Sequence, residues 1–338
     1  MDKRVDARLL LNGKRSVMMK LHMTLVFVLW VASGCATLQP NDSLVADTSL
    51  VIPYTFDLEN KKHLEAPYVA KYERDGRLLL YVASEHISIQ KSPNLLEHPT
   101  LKTIEHLFVE YKPEIVIVEG IDTGDEISPK SIIKKADECV TANYRNCGES
   151  FFAINMARKS GAAYITGEPR NQQIKDEIVK EGYSAEDLLG FYLVRQIPQY
   201  RRQGDFDRKN FADRAEKQLR GFQYQLGTDL KFGFKEFDAW YSKHMTTPKS
   251  YLDITNNDPA PHGGPDATYV QKISNKVGVI RDRAIVKTIE RMLGTYSRVL
   301  VVYGGSHLIT QEHAIESMMD KATYFRAVEK LASARGGT

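Results

Sequence analysis

The chain has only three cysteines and two tryptophans in 338 residues, and no Cys-x-x-Cys pair. A zinc ribbon or a dithiol redox centre therefore has no ligands to build on. There is no uninterrupted apolar stretch of the roughly 20 residues that a spanning helix requires. Neither a Gly-x-Ser-x-Gly elbow nor the context of a catalytic cysteine occurs, so a serine or thiol nucleophile is not indicated. Fixed-period repeats and low-complexity tracts are missing too.

What is present begins with an apolar run of about a dozen residues, Leu21 to Ala32, preceded by basic residues and followed by Ser33, Gly34 and Cys35. That order is the pattern of a secretory signal. Val31-Ala32-Ser33-Gly34-Cys35 resembles a bacterial lipobox, in which small residues admit the processing enzyme and the cysteine thiol receives a lipid. The lead before the run is long, and Met18 or Met19 would make a more ordinary start. The expectation is a signal peptide over 1–34, a lipidated tether over 35–50, and a working domain over 51–330. With Ala36 rather than aspartate after the cysteine, such a lipoprotein is expected at the outer membrane, facing the periplasm, its membrane contact made through the lipid on Cys35.

Charge follows the same division. The overall balance is +3, but the leader alone holds six basic and two acidic residues, which leaves about −1 on the remainder. Nothing there argues for nucleic acid as a partner. Cys139 and Cys147 stand close together in a polar stretch, and in an oxidising compartment they are expected to close a short loop; two unpaired thiols are the alternative.

Short apolar runs then alternate with helical spacing. Leu78 to Ala83, Ile115 to Val118, Ala163 to Thr166 and Val299 to Tyr303 read as strands buried on both faces. Between them, Thr100 to Tyr111, about Glu149 to Lys159 and about Val277 to Leu293 read as helices, with a stop at Gly161. The order predicts an α/β fold: a mainly parallel or mixed central sheet flanked by helices, with a helical insertion around 171–245. The aromatics of that insertion are expected to be packing residues, and no specificity pocket is legible in it.

In open α/β sheets ligands sit beyond the carboxyl ends of the strands. Four strand ends here finish in reactive residues: Ser84-Glu85-His86, Glu119-Gly120, Gly167-Glu168-Pro169-Arg170, and Gly304-Gly305-Ser306-His307. A carboxylate directly after a core strand, such as Glu119, costs desolvation unless it is paired. Glu168 invites the same argument, with Arg170 as a candidate structural partner.

Ala83-Ser84-Glu85-His86, Val118-Glu119, Gly148-Glu149, Arg281-Asp282-Arg283 and Gly304-Gly305-Ser306-His307, in this order over residues 78 to 310, resemble the motifs of the TraB/PrgY/GumN and Tiki group. That group is related to erythromycin esterase-like and ChaN-like proteins. The resemblance implies a hydrolase. Tiki-like members are described as metal-dependent proteases with two Gly-x-x-His motifs, esterase-like members activate water with a histidine and glutamates, and ChaN-like lipoproteins are linked to haem. The first motif departs from the pattern, since Ala83 stands where a glycine is usual. A methyl there is expected to restrict the approach of backbone and ligand.

The leading expectation is thus an envelope hydrolase of a peptide or ester. His86, Glu119 and His307 would hold a divalent metal (manganese, cobalt or zinc) or position water directly. Without a metal, His86 is the general base, oriented by Glu119 or Glu149, and Arg281 and Arg170 stabilise developing negative charge. The alternatives are a haem- or ligand-binding lipoprotein, with the histidines and Tyr303 as ligands, and a non-catalytic scaffold.

Overall fold

The computed structural model describes residues 44–327 except 56–57, 59–63, 88–93, 122–123, 145–146 and 203–207. The expected signal peptide, Cys35 and most of the tether lie outside the described residues. Among those described, no helix is long and apolar enough to cross a membrane.

Six strands form one mixed sheet: β1 (Tyr68–Arg74), β2 (Arg77–Ser84), β3 (Ile115–Val118), β4 (Ala163–Thr166), β5 (Arg298–Gly304) and β6 (Thr323–Phe325), in the order β4-β3-β5-β2-β1-β6. The strands β4, β3, β5 and β2 run parallel, while β1 pairs antiparallel with both β2 and β6. The four parallel strands are the continuous apolar runs of the sequence. Strand β1 is not among them, because YVAKYER mixes charges with apolar residues. It forms because Asp75-Gly76, with φ 49° and 74°, makes the two-residue left-handed turn whose twist matches a hairpin.

Alternation along the strands feeds two cores. Leu80, Val82, Val116 and Val118 face helices α1 (Pro99–Tyr111), α2 (Lys130–Thr141) and α3 (Gly148–Ser160), through Leu101, Ile104, Ala136 and Ile154 among others. Leu79, Tyr81, Ile115, Ile117 and Tyr303 face the other way, against Ile285, Ile289, Leu308 and Ile315. As expected, α3 stops at Gly161, which takes the left-handed conformation at φ 75°.

Residues 44–50, expected as tether, already belong to the fold. Ala46 and Val51 are buried in the second core, and the Asp47 N–H donates to Ser317 Oγ at 2.9 Å.

The expected insertion is helical: α4 (Asn171–Lys180), α5 (Ala185–Arg202), α6 (Phe211–Gln225) and α7 (Phe234–His244) gather a third core around Phe191, Leu219 and Phe237. Its aromatics pack one another, as Phe211 does on Tyr251 at 5.0 Å. One long helix joins the two halves. Helix α8 (Tyr269–Leu293) buries Val270, Ile273 and Val277 in the helical core and Ile285, Val286, Ile289 and Met292 against the sheet. Between these two apolar stretches stand Arg281 and Asp282. Helix α9 (Gly305–Glu316) follows β5 without a loop.

Cys139, in α2, and Cys147 are joined by a disulfide.

Candidate active site

The carboxyl ends of β2, β3 and β5 open onto a cavity of about 380 Å³ whose walls include His86, Glu119, Arg281, Asp282, Ser306 and His307. Its far wall comes from α5, through Phe191, Arg195, Pro198 and Gln199.

Each histidine is held by a buried carboxylate. His86 follows β2, and its Nδ1 lies 2.7 Å from Glu149 Oε1, in the first turn of α3. A carboxylate oxygen only accepts, so Nδ1 carries the proton and Nε2 is left free. Glu149 is 6 % exposed and is also reached by the Ser84 hydroxyl and the Ile87 N–H, both at 3.4 Å. The hydrogen bond to Glu149 raises the His86 pKa above its ordinary value, against partial desolvation.

His307, in the first turn of α9, has the same arrangement with a different carboxylate. Its Nδ1 lies 2.5 Å from Asp282 Oδ1, and Asp282 also accepts from Thr310 Oγ1 and Gln311 Nε2, both at 2.7 Å. The other nitrogen, Nε2, is 3.4 Å from Glu119 Oε1. Burial alone would lower the His307 pKa, but the charges of Asp282 and Glu119 outweigh it and carry the value to about 10. His307 is therefore an imidazolium at neutral pH.

Glu119, one residue past β3, sits at the centre. Its Oε2 accepts the Gly304 N–H at 2.8 Å, and its Oε1 is 3.6 Å from the Arg281 guanidinium. Burial would push its pKa up, but His307, His86 and Arg281 hold it well below the usual carboxylate range. Gly304 lets the parts meet: a Cβ there would stand 3.0 Å from His86 Nε2 and 3.6 Å from Glu119 Oε2.

Arg281 makes a two-pronged ion pair with Glu168, Nε to Oε2 at 2.7 Å and Nη2 to Oε1 at 2.6 Å. Breaking such an enclosed pair on one side typically costs about 3–5 kcal/mol. The partner of Glu168 is thus Arg281, not its sequence neighbour Arg170.

Five of the six residues expected to act together do meet: His86, Glu119, Glu149, Arg281 and His307. Arg170 does not. It stands at the start of α4 with an exposed side chain lying 3.8 Å from Asp125, which removes it from the charge-stabilising role. Tyr303, offered as a haem ligand, is fully buried, and its hydroxyl accepts the Gly167 N–H at 3.1 Å. Ala83 is fully buried in the sheet core, so its methyl packs there and does not narrow the cavity. Asp282 stands in the Arg281-Asp282-Arg283 motif, but the sequence gives it no role; the placement of α8 against α9 turns it inward as the partner of His307.

The three residues expected to hold a metal are poorly arranged for that role. No group of three His, Cys, Asp or Glu side chains stands at metal-holding geometry among the described residues. Glu119 would have to bridge the imidazoles, but it already takes the Gly304 N–H, and a divalent ion there would lie beside the fixed cation of Arg281. As arranged, the donors do not fit a metal. No family model matches the chain, and comparison with curated proteins and with solved structures yields no match either.

Proposed function

We propose that the protein is a hydrolase of the bacterial cell envelope, anchored through lipidated Cys35, that cleaves an ester or peptide bond with water activated by His86. The observation that carries this reading is the pair of imidazoles, each fixed at Nδ1 by its own buried carboxylate and facing one cavity at the strand ends. The resemblance to the TraB/Tiki and esterase-like proteins points the same way.

The two histidines divide the labour by environment. His307 lies between two carboxylates with 13 % of its side chain exposed, so it stays protonated and donates. His86 has one carboxylate partner and a side chain that is 67 % exposed, so it exchanges protons with solvent. In its neutral form, His86 Nε2 takes a proton from water as the water oxygen bonds to the scissile carbonyl carbon. Glu149 stabilises the imidazolium that forms. Negative charge on the carbonyl oxygen is met by the His307 imidazolium and by the N–H groups that the first turn of α9, like that of any helix, leaves without intrahelical partners. Collapse of the tetrahedral intermediate breaks the bond to the leaving group, which takes its proton from His86.

The test is turnover of p-nitrophenyl esters and fluorogenic peptides by the purified domain and by H86A, E149Q and H307A. The expected result is a loss of kcat of about a hundredfold or more for H86A, in line with removal of a general base. Rates in H86A and H307A equal to wild type would end the proposal. A haem absorbance band in the protein as isolated would instead favour the binding alternative.

A further inference from the structure

Arg195 is the one charged residue that α5 contributes to the cavity, and it comes from the insertion whose sequence shows no motif. Arg281 is engaged with Glu168 and Glu119, His307 with Asp282 and Glu119, and His86 with Glu149. Arg195 forms no ion pair and no side-chain hydrogen bond among the described residues. It is an exposed residue on the wall of the cleft. It also lines a second cavity, of about 410 Å³, whose walls include Glu168, Asn171, Tyr192, Gln196 and Phe222. The two cavities share Arg195, Gln199, Val277 and Arg281, so Arg195 stands on the threshold between them. Desolvation by the cleft walls, followed by the nearby Arg281 charge, presses its pKa below the ordinary arginine value, against the opposing influence of Tyr192, Glu119 and Glu168.

We infer that Arg195 is a specificity-determining residue that binds an anionic group of the substrate, a carboxylate or phosphate, beside the bond to be cleaved. The inference rests on the hydrolase reading of the adjoining centre. A guanidinium offers a fork of N–H donors that matches the paired oxygens of either anion. The neutral part of the ligand runs on into the second cavity, where aromatic and amide side chains offer stacking and hydrogen bonds. Arg281 cannot take this part without giving up Glu168. Arg170, the other arginine near the strand ends, lies against Asp125 instead.

Two measurements separate this inference from the reading it rests on. The first is binding of phenyl phosphate and of benzoate, by titration calorimetry, to the domain and to R195Q, R195K and H86A. Wild type and H86A are expected to bind at least one of them, R195Q about tenfold or more weaker, and R195K in between. Equal binding by wild type and R195Q, or no binding of either anion by wild type, overturns the inference whatever the activity. The second is hydrolysis of p-nitrophenyl acetate against the mono-p-nitrophenyl ester of succinate. Wild type is expected to favour the anionic ester by about tenfold in kcat/KM, and R195Q to lose that preference through a raised KM for the anionic ester. A preference unchanged in R195Q overturns the inference and leaves the hydrolase reading intact. If neither ester is turned over, the hydrolase reading is the one in difficulty, and the binding measurement still decides on Arg195.

Discussion

Replacing Asp282 by asparagine tests the electrostatic arrangement of the site through stability alone. In the wild type the His307 pKa is raised from 6.5 to about 10. A group with a raised folded pKa contributes stability that is fully present below the unfolded value and is lost as pH climbs through the folded one. At about 1.4 kcal/mol per pKa unit, His307 then accounts for roughly 3–4 kcal/mol of stability lost between about pH 6 and pH 9.5. The D282N side chain keeps the shape but removes the larger of the two charges that hold the proton on His307. The variant should be weaker than wild type by about 3 kcal/mol near pH 6, and the gap should narrow toward pH 9.5 and close as pH climbs through about 10. His86 titrates with the same sign, raised first by Glu149; the His307 charge is the last-named influence on it, so it enters the difference only weakly. The buried tyrosines Tyr81 and Tyr303, with pKa values pushed well above 10, do not ionise in this window. Urea unfolding followed by circular dichroism at four or five pH values gives both curves. Two parallel curves, offset by a constant, would show that the His307 proton is not held by Asp282 and would refute the assignment of His307 as a permanent donor.

Gly304→Ala should cut turnover sharply while shifting stability by less than about 1 kcal/mol, because φ −57° and ψ 145° suit alanine and the nearest neighbours of the new methyl are His86 and Glu119; thermal unfolding beside kinetics checks it. The kcat/KM profile should rise with pH along an acidic limb above 6.5, since His86 must be neutral to act, and E149Q should move that limb down toward 6.5. Replacing Cys139 and Cys147 together by serine opens a loop with a sequence separation of 8, for which chain entropy gives a loss of about 2–3 kcal/mol, measured by denaturant midpoint with and without reductant. Hydrolysis should survive dialysis against EDTA; loss of activity restored by manganese, cobalt or zinc would return His86, Glu119 and His307 to the role of metal ligands.

The parts of this molecule that are legible in the sequence are those where one residue type has one dominant use. Ile115 to Val118 and Ala163 to Thr166 are four-residue apolar runs between helical segments, and the structure gives them the same bounds as the sequence. Polar residues crowded at four strand ends likewise locate most of the site, because a charge directly after a buried strand needs a partner. What is hidden depends on the meeting of distant elements. Strand β1 looks like a charged surface segment until β6 and β2 pair with it on either side. Arg170 and Arg281 are equally plausible partners for Glu168 by composition, and only the turn into α4 sends one away. Asp282 sits between two arginines and Arg195 in an otherwise uncharged stretch of α5, and both acquire meaning from what packs opposite them.

Helix α8 explains why the site lies where it does. An apolar stripe that changes partners midway leaves a short stretch between the two cores, where the charges are largely buried and their desolvation is offset by pairing. Arg281 and Asp282 occupy the joint and bind Glu168 at the end of β4 and His307 at the start of α9, so the same stretch that links the cores fixes the groups proposed to be catalytic. The chemistry then rests on strand ends and first helical turns, where backbone positions are set by sheet register. The opposite wall rests on α5, whose packing belongs to the helical core. Substitutions along the cavity-facing side of α5 should therefore change which substrate is held far more than they change the activation of water. For the same reason Arg195, on that wall, tests recognition separately from catalysis.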